Sequence, residues 1–477
     1  MKALIFNVLY LFPAAAFAQL FTDATANLPA AASGANMDVR AFDLEGDGDL
    51  DLVFAREFQP NFLLRNNGQA VFTNATPGNL PQETHDSEDV AVADFNGDGH
   101  LDLVFCSEDD VAQGWSNVHE FYLGDGAGKF AAAAYQPPDS EANAVIAADL
   151  NSDGLPDLLF GNKGTIGVLI NNGAGGFSAE NQRVPQIQRT TQDLALADVD
   201  GDGDADLFAG NENGNLLLIN DGTGNFTDET AARLPAGLNI ETRKVAFGDV
   251  EGDGDLDIFL SNVAFLPGKN PQNRLFINDG AGHFTDKTAT QLPTDAAHTI
   301  DAIFEDIDLD GDLDLVVANV FGGPLKIYGN DGSGHFSDAT LAVLGKNFYR
   351  DALGVIAADF NGDGLRDLYV CHRNTPQNPQ KDLLLLRSPV VAAPEADDLA
   401  NEVRIFPNPI DNQFFIKTNR AHLDTVRLQN STGQTLFSMT PKPAGEGVFR
   451  CDLPKGRLPS GIYFLSVGDA RKPIFIR

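Results

Sequence analysis

The sequence predicts an all-β protein: a seven-bladed β-propeller with calcium-binding hairpin loops, followed by a small β-sandwich domain. Three observations carry that expectation. An acidic nonapeptide recurs seven times, short apolar runs of strand length flank every copy, and after Ser388 the composition changes before a second set of strand-like runs begins.

The elements follow in chain order. Residues 1–18, MKALIFNVLYLFPAAAFA, join a basic Lys2 to an apolar run and a small-x-small ending, the pattern of a secretory signal peptide. No later stretch reaches the roughly 18 consecutive apolar residues that span a bilayer, so no transmembrane segment is expected in the mature chain. The formal net charge of -36 argues against nucleic acid and anionic membrane surfaces and favours metal cations. With 43% hydrophobic residues and 34 phenylalanines the chain has ample material for a core. Cys106, Cys371 and Cys451 show no metal-binding spacing, and small buried side chains are the expected role.

The repeat occupies residues 19–388. Its copies start at Asp43, Asp94, Asp149, Asp198, Asp249, Asp306 and Asp359, 49 to 57 residues apart, a period that suits four short strands and their connections. Each copy reads as a strand, the acidic loop, a strand, a variable loop, a strand, an Asn/Asp-Gly turn and a fourth strand such as FTDET. First strands are rich in Ala and Gly, which suits the crowded position beside a propeller axis. The seventh copy lacks the fourth-strand phrase, and LFTDAT at residues 20–25 supplies it. The N-terminal strand is therefore expected to complete the seventh blade and close the ring.

In the nonapeptide, positions 1, 5 and 9 are always Asp, position 3 is Asp, Asn or Glu, and position 6 is Gly. Alternate oxygens around a tight bend suit a hard cation, and calcium more than magnesium, which demands a stricter octahedron. The loop is not an EF-hand: the twelfth position is apolar in all seven copies (Phe54, Phe105, Phe160, Ala209, Leu260, Val317, Val370) where a bidentate Glu would stand. A plain solvated hairpin is the bland alternative. These loops hold 29 of the 68 acidic residues, so their mutual repulsion makes a structural, neutralising ion the better reading.

The pattern DxDGDGxxD, the apolar strand after it and the NDGxGxFTD phrase resemble the FG-GAP or VCBS-type repeats of integrin α-chain propellers and their bacterial relatives, over roughly residues 20–388. The resemblance implies up to seven structural Ca²⁺ ions in the hairpins between first and second strands. The implied ligands are Asp43, Glu45, Asp47 and Asp51 in the first copy, and Asp94, Asn96, Asp98 and Asp102 in the second. Asp149, Asn151, Asp153 and Asp157 follow in the third, and Asp198, Asp200, Asp202 and Asp206, with a backbone oxygen from Asp204, in the fourth. Asp249, Glu251, Asp253 and Asp257, then Asp306, Asp308, Asp310 and Asp314, and finally Asp359, Asn361, Asp363 and Asp367 complete the set. The third copy, altered by Ser152 and Pro156, and the seventh, with Arg366 beside the site, are the weakest.

Strand alternation puts the acidic loops on one face and the variable loops on the other, where ligand-binding residues are expected. Trp115, the single tryptophan, and His119 lie in the longest variable loop; Phe265, Phe321, His372 and Arg373 lie in others. Trp115 stacks on a ligand in one reading and pins its own loop in the other. Asp38, Asp89, Asp193 and Asp301 each stand five residues before a loop, around the mouth of a central channel, either as a ring for a cation or polyol or as local turn caps. No catalytic motif is present, so a secreted or cell-surface binding or adhesion module for glycan or protein is expected. An extracellular polysaccharide-degrading enzyme, lyase or hydrolase, on the same scaffold is the alternative.

Residues 389–401 form a Pro/Ala/acidic linker, and 402–477 read as a β-sandwich. Pro407-Asn408-Pro409, the Gly433-Gln434 turn, Gly461-Ile462-Tyr463 and the basic-apolar last strand resemble the sorting domain of the type IX secretion system, with a carbohydrate-binding sandwich as rival. The resemblance implies export by that machinery, to the medium or to the outer surface of the outer membrane.

Overall fold

The computed structural model describes residues 20–116, 118–349, 351–374 and 381–388, and C-terminally 403–406, 413–418, 425–429, 435–445, 448–453, 461–467 and 470–476. The signal peptide and the linker lie outside the described residues. The chain divides into two compact units, Met1–Pro389 and Val390–Arg477.

The first unit repeats one antiparallel meander. In the first repeat, Asn36–Phe42 pairs with Asp51–Gln59, which pairs with Phe62–Arg65 and then Thr73–Asn74. In the fourth, Arg189–Ala197, Asp206–Asn211, Leu216–Asn220 and Phe226–Asp228 do the same. The last meander is built from both ends of the unit: Ala352–Ala358, Asp367–His372 and Leu383–Arg387 pair in order, and the fourth strand is Phe21–Asp23, with Phe21 opposite Arg387. The fourth strands are shorter than the phrase FTDET suggests. Asp228 accepts the N–H of Thr230 at 3.0 Å, which turns the chain into the short helix Thr230–Arg233, and Thr230 Oγ1 accepts the N–H of Leu217. In two places the second strand of one meander pairs with the first strand of the next, through Glu57↔Asp86 and Lys163↔Thr190.

Each first strand lies beside the first strand of the next repeat, and Ala352–Ala358 lies beside Asn36–Phe42. The core sits between neighbouring sheets rather than within one. Phe54 and Phe72 of the first repeat pack against Tyr369 and Phe360 of the last, with ring centroids 5.5 and 5.6 Å apart. Comparable clusters fill the other boundaries. This is a β-propeller-like arrangement, and burial of large aromatic and branched side chains at each boundary is its main source of stability. All three cysteines are buried.

One irregularity recurs. Every first strand carries a bulge at the same place, where register skips Met37, Glu88, Asn143, Gln192, Arg243, Ile300 or Leu353. A bulge re-aims the side chain of the extra residue.

The second unit has two four-stranded antiparallel sheets. One orders Val403–Phe406, Gln413–Thr418, Val448–Asp452 and Lys442–Gly445; the other orders Thr435–Met439, Val426–Gln429, Gly461–Val467 and Ala470–Ile476. Phe414, Ile416 and Phe449 from the first share a core with Val426, Leu428 and Leu465 from the second.

Candidate functional site

The acidic loops fold through their own carboxylates. Asp43 Oδ1 accepts the N–H groups of Gly46 and Asp47 at 2.8 and 3.1 Å, and its Oδ2 that of Gly48 at 2.9 Å. Gly46 and Gly48 have φ of 74° and 90°, a region that glycine enters without steric cost. The ninth-position aspartate is buried in every copy. Asp257 Oδ2 accepts from Val250 N at 3.0 Å within its loop, and Oδ1 accepts from Asn278 N at 2.9 Å on the third strand. Asn278 Nδ2 then donates to the carbonyl of Val199 in the preceding repeat at 2.8 Å. Asn66, Asn171 and Asn330 make the corresponding bonds to Phe360, Phe95 and Val250. The loops are therefore joints between repeats as well as hairpin turns.

Two copies bring three carboxylates together: Asp198, Asp200 and Asp206, and Asp306, Asp308 and Asp314, each set with ligand oxygens within 4.8 Å of one another. All-oxygen, highly anionic sets of this kind fit a hard divalent cation. The Glu copies are arranged differently. Glu45 pairs with Arg65 at 2.7 Å, and Glu251 accepts from Gln291 Nε2 at 3.0 Å, so a neighbour holds each third-position carboxylate. In the Asn copies, Asn96, Asn151 and Asn361 accept the N–H of Asp98, Asp153 and Asp363. Arg366 reaches Glu305 at 3.5 Å and the carbonyl of Ala357.

Inside the ring of first strands lies a cavity of about 640 Å³. Asp38, Asp89, Asp193 and Asp301 all line it, together with Lys244, and Arg40 is buried beside them. Arg40 bridges Asp38 at 3.3 Å and Asp89 at 2.9 Å, and Lys244 pairs with Asp193 at 3.2 Å. Asp89, Asp193 and Asp301 also accept backbone N–H groups from the next repeat, those of Val145, Val245 and Val355. Asp89, Asp193 and Asp301 thus tie adjacent first strands together, Arg40 links Asp38 to Asp89, and Asp89 and Asp301 also accept the N–H of the residue that follows each. Burial pushes Asp193 up to about 6, against the opposing pull of Lys244 and the Val245 N–H.

The variable-loop candidates separate into two groups. His119 is buried, with Nδ1 accepting from Ser107 N, Nε2 beside Ser140 Oγ, and its ring 4.9 Å from Phe160; burial pushes it down to about 4. His372 is buried too, its backbone N–H donating to Asp382. Both sit in the interior, His372 at the end of a second strand and His119 just before a third. Trp115 is half exposed, edge-on to His85 at 6.4 Å, while His85 Nδ1 is 2.6 Å from Asp109 Oδ2. Phe265, Phe321 and Arg373 reach the cavity lining. Phe265 stacks on His298 at 5.6 Å, lies 5.4 Å from Phe321, and has the Arg243 guanidinium over its ring at 4.8 Å. Arg373 contacts both carboxylate oxygens of Glu57, at 2.8 and 3.0 Å.

Sequence reasoning missed the residues that bulges deliver. All seven bulge residues line the cavity, and each stands one position before the site of the ring aspartates. The signal available was the variation at that position, between strands otherwise built from small and branched residues.

Models of the FG-GAP-like repeat match residues 43–105, 149–209, 198–260, 263–317 and 306–370, more than half of the chain. The chain belongs to the FG-GAP-like repeat family. In this FG-GAP-like protein, residues 404–475 match the secretion system C-terminal sorting domain. Mouse (Mus musculus) and human (Homo sapiens) cartilage acidic protein 1 are 32% and 31% identical over 119 residues, a match covering 24% of this chain and 17% of the relative. The repeat chain therefore spans less than a fifth of those relatives' length.

Among solved structures, an Agrocybe aegerita lectin described as recognising non-reducing terminal N-acetylglucosamine is 18% identical, with a TM-score of 0.40, 64% of this chain covered and 79% of that one. BBS1N in complex with ARL6DN is 12% identical, with a TM-score of 0.49 over 78% of this chain and 98% of that one. No helix among the described residues is long and apolar enough to cross a membrane.

Proposed function

We propose that this protein is an exported binding module: a calcium-stabilised, seven-bladed propeller spanning residues 19–388 that captures a glycan on its variable-loop face. The C-terminal sorting domain engages the type IX machinery and delivers the propeller to the medium or the outer surface of the outer membrane. Calcium sits in the acidic loops as a fastener, away from the ligand.

One observation carries the ligand reading. Phe265 and Phe321, 41% and 70% exposed, meet at the lining of a polar cavity, and Phe321 holds a φ of 57°. A bulky residue in the left-handed region is strained, and such strain concentrates at binding sites. Aromatic faces beside convergent polar groups are what a sugar ring requires, since its C–H face packs on the ring while its hydroxyls find partners.

A glycan array probed with the full chain in calcium tests this. Binding that falls at least tenfold in Phe265→Ala and Phe321→Ala supports the reading. An array without signal, while outer-membrane proteins bind to the same chain, would replace glycan by protein as the ligand.

A further inference from the structure

The seven bulge residues make an asymmetric ring. Ile300, Leu353 and Met37, from three consecutive repeats, form an apolar arc; Glu88, Asn143, Gln192 and Arg243, from the other four, form a polar one. Among the described residues, the cations in and beside the lining already have partners. Arg40 and Lys244 pair with the ring aspartates, Arg373 with Glu57, and Arg243 with Glu241 at 2.8 Å and Gln192 at 2.6 Å. The carboxylates outnumber them: Glu88 and Glu108 line the same cavity. Burial, with Asp86, Glu108 and Glu57 nearby, holds Glu88 well above the usual carboxylate range, despite Arg243. Independently, Asn143 is 8% exposed, lines the cavity, and its Nδ2 has no hydrogen-bond partner. A buried amide without a partner is costly unless a ligand supplies one.

Resting on the glycan reading above, we infer that this cavity seats a single amine-bearing pyranose, a protonated hexosamine, with its ammonium at Glu88 and Glu108, a hydroxyl at Asn143 and its C–H face on the Ile300–Leu353–Met37 arc. A volume of about 640 Å³ lies within the roughly 300–1,000 Å³ typical of small-ligand pockets. Among the described residues an acidic sugar finds no unpaired cation, and a neutral one leaves the crowding of Glu88 by Glu108, Asp86 and Glu57 unrelieved.

Titration calorimetry of the full chain with D-glucosamine, D-glucose, N-acetyl-D-glucosamine and D-glucuronate tests the assignment. Glucosamine is expected to bind at least tenfold more tightly than glucose or the N-acetyl sugar, and glucuronate not measurably, because a charge-assisted hydrogen bond is worth about a factor of 10 to 100. Glu88→Gln, which removes the ionisable carboxyl and keeps the shape, should erase that preference. Asn143→Leu should weaken glucosamine and glucose alike, by about 5- to 10-fold. Equal affinity for glucosamine and glucose, or a preference that survives Glu88→Gln, overturns the inference while array binding leaves the glycan reading standing. Silence in both assays overturns both.

Discussion

Asp193 accepts the backbone N–H of Val245 through one carboxylate oxygen at 2.8 Å and the Nζ of Lys244 through the other at 3.2 Å, so a side chain of the fourth repeat holds the first strand of the fifth. Asp89 and Asp301 do the same for Val145 and Val355, whereas Asp38 does not, because Asp89 Oδ1 takes the N–H of Val90 at 2.7 Å. Removing the carboxylate strands a buried N–H and leaves a half-buried ammonium without its partner. Asp193→Ala is therefore expected to cost about 3 kcal/mol, measured by urea unfolding. A loss under about 0.5 kcal/mol, the scatter of ordinary surface substitutions, would mean that adjacent strands hold without the latch.

The clusters at Asp198/Asp200/Asp206 and Asp306/Asp308/Asp314 are the arrangements best prepared for a cation. An ion that binds only the folded state stabilises it by about 2.7 kcal/mol at a hundredfold excess over its dissociation constant. Calcium should raise the melting temperature and chelator lower it. Asp200→Asn with Asp308→Asn should remove more of the calcium response than Glu45→Gln with Glu251→Gln, since Arg65 and Gln291 already engage those glutamates. Equal losses from the two double variants would refute this ranking.

Glu120 is buried between Asn61 Nδ2 and the Tyr122 hydroxyl, both of which donate to it. Burial pushes its carboxyl from 4.5 up to about 7, against the pull of the Tyr122 bond. The folded state keeps the proton where the unfolded chain has lost it, so this contribution to stability is full below pH 4.5 and is lost as pH rises to about 7. Glu120→Gln, whose amide can donate to the Tyr122 oxygen, should melt a few °C higher than the parent at pH 7.5 and no higher at pH 4.5. A difference independent of pH would assign the change to packing instead.

Much of the fold was legible because each repeat states it in local terms. Asp-x-x-x-Asp-Gly fixes a turn, Ala and Gly crowd the first strand, and Phe226 or Phe284 opens the fourth. The cavity was legible only in part: the aspartates expected around a channel mouth do line it, but the bulge residues beside them were missed. Its lining depends on a bulge, which moves Asn143 or Arg243 out of alternation without any turn residue to announce it. His119 and His372 misled for the opposite reason: a variable-loop position suggests exposure, but burial is decided by neighbours distant in sequence, such as Ser140 and Phe160. The ninth aspartate reads as a ligand, and what the sequence did not announce is that its carboxylate also accepts backbone N–H groups of the loop and of the third strand.

Phe21 is 1% exposed and sits in the core cluster between the sixth and seventh meanders, and its strand supplies the outer edge of the last sheet. Leu20 adds bonds to Val343 and Ser388. Phe21→Ala should cost about 3–5 kcal/mol, and deleting residues 19–30 should lower the melting temperature further. An unchanged melting curve after the deletion would show that the last meander closes without this strand.

Phe321 poses a trade between stability and binding. Its φ of 57° costs about 1–3 kcal/mol for a side chain that is 70% exposed and packs against the Phe265 and His298 rings. Glycine relieves that strain, at an entropic cost of roughly 0.5–1 kcal/mol. If the ring is held for a ligand, Phe321→Gly should fold about 1 kcal/mol more stably while its signal on the glycan array falls at least tenfold. If the ring instead serves the fold through Phe265 and His298, the same substitution should lower stability and leave binding intact. Melting and array measurements on this one variant separate the two, because strain relief and lost packing change stability in opposite directions.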